Sequence, residues 1–211
     1  MPRPFIIACA AALLTAPTAF AQQAPVAPQA SSAPAQKKLA PNPMNEAMRR
    51  TRSELQTAPA PRPEDVGSVD AIIAALYNVI SGPAGQPRDW QRFQSLFYPG
   101  AQMIPMRKPK AGPSPVATPF SPEAYAGSAT VAFGKRGFYE KELHRQTAGY
   151  GHLVHVMSAY ETRESPNGPA LVQGVNSIQL VFDGQRWWIL NIAWTDDKAT
   201  ETPVPKDFTR K

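Results

Sequence analysis

The sequence predicts an α+β domain in which helices come first and a run of antiparallel strands follows. Three observations carry this. Ile72, Ile73, Leu76, Val79 and Ile80 recur at helical spacing behind Ser68 or Asp70 as a cap, with Tyr77 at the edge of the stripe and Ser81-Gly82-Pro83 ending it. Between Gly174 and Trp194, two runs of β-branched, aromatic and amide residues flank Asp183-Gly184, a dipeptide that takes the positive φ angles of a type I′ hairpin turn. Near residue 65 the composition changes from Ala, Pro, Gln and Ser to a mixture rich in aliphatic and aromatic side chains, which marks where chain able to bury a core begins.

Residues 1–21 read as a secretory signal, with Arg3, an apolar run from Phe5 to Leu14 and Ala19-Phe20-Ala21 as a small-x-small cleavage site. The run is too short to span a bilayer, so the expectation is a periplasmic or secreted protein with no membrane span. Residues 22–64 form an Ala/Pro/Gln-rich disordered linker; within it Met44 to Leu55 has helical spacing, with Met44, Met48 and Leu55 on one side, and reads as a transient helix. The domain covers residues 65–197 and a flexible tail residues 198–211. A second helix starts at Asp89 with Trp90, Phe93, Leu96 and Phe97 as its stripe, and Pro99-Gly100 stops it. Ala101 to Pro105 is a short strand, and a Pro, Lys and Gly-rich loop runs to Thr118. Ser121-Pro122-Glu123 opens a third helix through Ala129, with Pro at the first helical position. Phe138 to Arg145 and His152 to Glu161 are strands; the first sets Tyr139 and Leu143 opposite Glu140, Glu142 and His144, and the second sets Val154, Val156, Ser158 and Tyr160 on one side. Asn167-Gly168 then turns the chain into the closing hairpin.

Charge and cysteine narrow the function classes. Residues 65–197 hold 11 basic and 11 acidic side chains, so the net charge of +6 resides in the tails, and a nucleic-acid surface on the folded domain is not expected. Cys9 is the only cysteine and lies in the signal, so the mature chain has no disulfide. There is no glycine-rich phosphate loop, no Gly-x-Ser-x-Gly elbow and no Walker motif, and no cofactor is expected. Of the three histidines, His152 and His155 have opposite strand parity and His144 lies on another strand, so no metal site is expected either.

With Asp183 and Gly184 as a two-residue turn, Phe182 faces Gln185, Leu180 faces Trp187, Ile178 faces Ile189 and Asn176 faces Asn191 on one side of the hairpin. Two amides among apolar neighbours suggest the polar tip of a pocket. The other side carries Trp188, Leu190, Ile192 and Trp194, an apolar patch that suggests a homodimer through the outer face of the sheet.

The helix at 70–80, the second helix ending Leu96-Phe97, the strand, the third helix and a meander closing with Asp183-Gly184-x-x-Trp187-x-Ile189 resemble the nuclear transport factor 2-like superfamily, in its SnoaL-like bacterial branch. The resemblance implies a curved antiparallel sheet wrapped around helices into a cone with a pocket inside, and dimerisation through the outer sheet face. It also implies a comparison with ketosteroid isomerase, whose base position falls on Pro105 and whose oxyanion acid falls on Ile178, with Tyr77 near the tyrosine position. That catalytic set is not present. The expectation is therefore a small, largely apolar ligand in the cone, met by Tyr77, Trp90, Tyr160, Asn176, Ile178, Trp187 and Asn191. The alternatives are a cofactor-free lyase or isomerase using His155, which Glu142 could hold, Tyr77 or Glu142 for proton transfer, and a dimeric interaction module.

Overall fold

The computed structural model describes residues 41–108, 112 and 114–208; the expected signal, residues 22–40 of the expected linker and residues 209–211 lie outside the described residues. The elements run α1 (Pro43–Thr57), α2 (Pro63–Val66), α3 (Val69–Ile80), α4 (Trp90–Ser95), β1 (Phe97–Arg107), β2 (Val116–Ala117), α5 (Pro122–Phe133), β3 (Tyr139–Tyr150), β4 (Leu153–Arg163), β5 (Val172–Phe182), β6 (Trp187–Asp196) and α6 (Asp197–Thr200). The α+β class read from the sequence is borne out: six strands in the order β2-β1-β6-β5-β4-β3 form one sheet, antiparallel except where β1 runs parallel to β6.

Local signals fix the helices. Ser68 Oγ accepts from Ala71 N at 3.0 Å, Asp89 Oδ1 from Arg92 N at 2.9 Å and Ser121 Oγ from Ala124 N at 3.2 Å, so each of α3, α4 and α5 starts on a side-chain cap. The end of α3 is closed by the buried Arg88, whose guanidinium donates to the carbonyl of Ile80 (2.9 Å), an acceptor that the helix leaves open, and to that of Gly82 just beyond it (2.6 Å). Gly82 and Phe138 exchange backbone hydrogen bonds of 2.7 and 3.0 Å, and Ser81 Oγ accepts from Glu140 N at 3.0 Å. The start of β3 is thereby pinned to the end of α3. Ile72, Ile73, Leu76, Phe93 and Leu96 from the helices meet Val156, Ile178, Leu180 and Ile189 from the sheet in one continuous core.

Four differences from the sequence reading change which residues meet. First, α4 ends at Ser95 and the strand begins at Phe97, so Pro99-Gly100 sits inside β1, where Gly100 takes φ +81° and the pairing with β6 shifts register. Second, β3 is longer than expected and shifts register between Glu142 and His144. Glu140 and Glu142 pair with Thr162 and Tyr160, and past the shift Arg145, opposite Ser158, takes the inner face while His144 turns away. Third, the closing turn has four residues: Phe182 pairs with Trp187, and Asp183 Oδ1 gathers the N–H groups of Gln185 (2.8 Å) and Arg186 (2.9 Å), with Gly184 at φ +99°. A further shift between Gln179 and Leu180 leaves Leu190 as the extra residue, so Leu180 pairs with Ile189 but Gln179 pairs with Asn191. Beyond that bulge the parity of β6 reverses. Asn176 lies opposite Trp194, not Asn191, and Ile192 and Trp194 join the inner face.

Fourth, the segment expected as linker holds α1 and α2. The half-buried side of α1 is Ala47, Thr51 and Leu55, beside β1, while Met44 and Met48 are 66% and 49% exposed. In α2, Asp65 is buried and held by Arg92 through two bonds of 2.7 and 2.8 Å, which keep its carboxyl below the usual carboxylate range.

Candidate functional site

A cavity of about 740 Å³ lies between the concave face of the sheet, α3, α4 and α5. Its walls are aromatic. Phe133 stacks on Phe138 at 4.6 Å, Phe93 stacks on Tyr125 at 5.4 Å, and Phe120 packs flat on Tyr125 (6.5 Å) and edge-on to Trp194 (6.2 Å). Because α5 starts at the Ser121 cap, Tyr125 and Ala129 lie one turn apart on the cavity side of that helix. Trp194 lines the cavity only because the Leu190 bulge reverses β6. Tyr160 is accommodated by Gly174 on the neighbouring strand: a Cβ there would stand 2.5 Å from the Tyr160 hydroxyl and 2.5 Å from Thr195 O.

One end of the cavity is polar, and its atoms form an ordered chain. Asn176 Nδ2 donates to Glu140 Oε1 (3.3 Å) and to the Tyr77 hydroxyl (3.0 Å). Tyr77 lies 2.7 Å from Ser158 Oγ, and Ser158 donates to Glu142 Oε1 at 2.5 Å. Since Ser158 gives its proton to a carboxylate, the Tyr77 hydroxyl is the donor to Ser158 and the acceptor from Asn176. Arg145 closes the chain, binding Glu142 Oε2 through Nε (3.0 Å) and Nη2 (2.6 Å) and Asp70 through Nη1 (2.9 Å).

The electrostatics separate the two glutamates. Glu142 has Arg145 beside it, whereas among the described residues Glu140 makes no ion pair. Burial pushes the Glu140 carboxyl up to about 7, and the Asn176 hydrogen bond offsets part of that rise. Tyr77, Tyr125 and Tyr160 are all pushed well above the ordinary phenol value, first by burial and then by the charge of Glu140, so they remain protonated hydroxyls. Among the described residues the hydroxyls of Tyr125 and Tyr160 have no hydrogen-bond partner. Chemically the arrangement offers an apolar chamber with one carboxyl able to hold or release a proton near neutrality.

The residues expected from sequence distribute as follows. Tyr160 and Asn176 line the cavity, and Tyr77 stands behind Asn176. Trp90 supports the wall from outside, edge-on to Phe93 at 5.6 Å and stacked on Phe133 at 6.3 Å. Ile178 is wholly buried in the core, and Trp187 packs on Phe182 at 5.3 Å near the hairpin turn. Asn191 is on the outer face, where it donates to Gln179 at 2.8 Å; the expected Asn176–Asn191 pair does not form, because the bulge intervenes. His155 pairs across the outer face with Ser177 Oγ at 2.9 Å, on the opposite side of the sheet from Glu142, so Glu142 does not hold it. His152 stacks on Phe182 at 5.9 Å and His144 lies opposite Ala159. Among the cavity groups not expected from sequence are Glu140, Tyr125 and the wall aromatics Phe120, Phe133, Phe138 and Trp194. The available signal was an acid alternating with Glu142 on a strand facing helices, where solvent is not the default environment.

No family model matches the chain, and no curated protein sequence matches it. Solved structures similar to it include an NTF-2-like protein of unknown function from Silicibacter pomeroyi, at 12% identity and TM-score 0.42, covering 69% of this chain and 98% of that one. An uncharacterised cystatin-like-fold protein from Caulobacter vibrioides is 11% identical with TM-score 0.47, over 65% of this chain and 94% of that one. The β subunit of an aromatic-ring-hydroxylating dioxygenase from Novosphingobium aromaticivorans is 14% identical with TM-score 0.47, over 68% and 91%. The chain's own architecture is an α+β one, a six-stranded sheet with helices on one face and a chamber between them.

Proposed function

We propose that this protein binds a small, largely apolar molecule in the cone cavity, with the Glu140–Asn176 end taking its polar group. The observation that carries the reading is the chamber itself: about 740 Å³, in the range of small-ligand sites, walled by stacked aromatics and carrying the Glu140–Asn176 pair at one end. The signal-like composition of residues 1–21 supports an exported location, where the ligand would be met outside the cytoplasm. The proposal needs no second copy of the chain. Of the four side chains expected to form a dimer face, Ile192 and Trp194 lie inside, and Trp188 is covered by Arg186, 3.5 Å above its ring, and by Tyr98. Titration with the neutral probe N-phenyl-1-naphthylamine tests the reading: one saturable site with energy transfer from tryptophan supports it, and absence of saturation refutes it.

Glu140 favours a second reading, a cofactor-free lyase or isomerase. A carboxyl raised to about 7 is matched to proton transfer at neutral pH, and the protonated Tyr125 and Tyr160 hydroxyls supply donors for a developing oxyanion. In this reading Glu140 replaces Glu142 and His155, since Glu142 is neutralised by Arg145 and His155 faces away.

A further inference from the structure

Resting on the pocket reading, we propose that the ligand is a primary amine on an apolar body, its ammonium seated against the Glu140 carboxylate, Asn176 Oδ1 and a phenolic oxygen of Tyr125 or Tyr160. Both Asn176 N–H groups are spent, on Glu140 and on Tyr77, so the atom of Asn176 left without a partner among the described residues is the acceptor Oδ1. Glu140 Oε1 is occupied by Asn176 and Oε2 is open, a second acceptor when ionised. The polar end therefore presents acceptors and asks for a donor-rich head group. An ammonium supplies three donors from one atom, whereas a hydroxyl supplies one and a carboxylate none.

Charge points the same way. A buried carboxyl without a counter-ion is costly to ionise, and a bound cation removes that cost by pairing with it. Two of the charged groups near this end are already engaged: Glu142 with Arg145, and Arg163 with Glu161 at 2.7 Å. Around the cavity as a whole, three arginines (Arg107, Arg136 and Arg163) stand against three carboxyls (Glu140, Glu164 and Asp196), so with Glu140 ionised the lining carries no net charge. The aromatic walls add a second attraction for a cation, through the negative faces of the Tyr125, Tyr160 and Phe138 rings.

Isothermal titration of the full chain at neutral pH with 2-phenylethylamine, 2-phenylethanol and 3-phenylpropanoate tests this, since the three share a body and differ in the head group. The amine is expected to bind at least about ten-fold more tightly than the alcohol, the difference between a charge-assisted and a neutral hydrogen bond, with the carboxylate weakest. Glu140→Gln should abolish that preference, since the amide keeps the shape and only the charge is lost. Alcohol and amine binding equally, or a preference that survives E140Q, overturns the amine assignment while leaving the pocket reading intact. Failure of all three probes to bind sinks both. Should E140Q not melt cooperatively, the three-probe comparison on the unmodified chain decides by itself.

Discussion

Replacing Glu140 by Gln should change how stability depends on pH rather than simply raise or lower it. In the folded protein this carboxyl titrates near 7 instead of 4.5, chiefly because burial penalises its charge. Between those two values the folded state keeps a proton that the unfolded state has lost, so stability falls as pH rises through the window and levels off above it. The rise from 4.5 to about 7 corresponds to an upper bound of about 3.5 kcal/mol, reduced by the partial exposure that Glu140 retains at the cavity edge. Gln keeps the acceptor for Asn176 and does not titrate. Urea unfolding followed by tryptophan fluorescence should therefore show E140Q gaining on the wild type by about 2 kcal/mol between pH 4 and pH 8, most of it between pH 5 and 7. Parallel stability curves for the two proteins would refute both the burial of Glu140 and the absence of a counter-ion beside it.

Asn176→Leu strips the Tyr77 hydroxyl of its donor and the Glu140 carboxylate of the one hydrogen bond it has among the described residues, and should cost about 1–3 kcal/mol in the same assay, whereas Asn191→Leu on the outer face should stay within about 0.5 kcal/mol. Equal effects would restore the paired-asparagine register. Asp65→Asn leaves the half-buried Arg92 without its carboxylate and should cost about 1–3 kcal/mol at pH 7. Because the Asp65 carboxyl is depressed in the folded state, that difference should vanish as pH falls through its folded value, and a difference that persists in acid would contradict the assignment. Leu190→Glu should leave the sedimentation of the protein unchanged, since Ile192 and Trp194 are not on the outer face; conversion of a dimer to a monomer would show that the face is an interface after all.

What was legible in the sequence follows from which signals are local. The α3 stripe, the Ser121-Pro122 helix start and the alternation of Val154, Val156, Ser158 and Tyr160 depend on residues a few positions apart, and α3, α5 and β4 formed where those signals stand. The bulges at Leu143 and Leu190 were not legible. From Trp187 to Trp194 large apolar residues occupy both parities, so no solvent-facing polar set exists to fix the register, and a one-residue slip exchanges the faces without a penalty visible in the sequence. The four-residue turn depends on Asp183 capturing two N–H groups and Trp188 Nε1 (2.6 Å), a contact across the hairpin that the Asp-Gly dipeptide does not disclose. Glu140 is a site residue through its environment: one strand position and a bulge away, Arg145 neutralises its neighbour Glu142 and leaves Glu140 alone. The side of α1 that docks is its small-residue side, which a search for large apolar stripes passes over.

The central claim, that the cone is an open chamber for an apolar ligand, is tested most directly by a crystal structure of the protein soaked with N-phenyl-1-naphthylamine. The account predicts one molecule of the probe between Phe120, Tyr125, Phe138, Tyr160 and Trp194, with its N–H toward Glu140 and Asn176. A cone closed by the side chains of α5, with the probe elsewhere or absent, would contradict it.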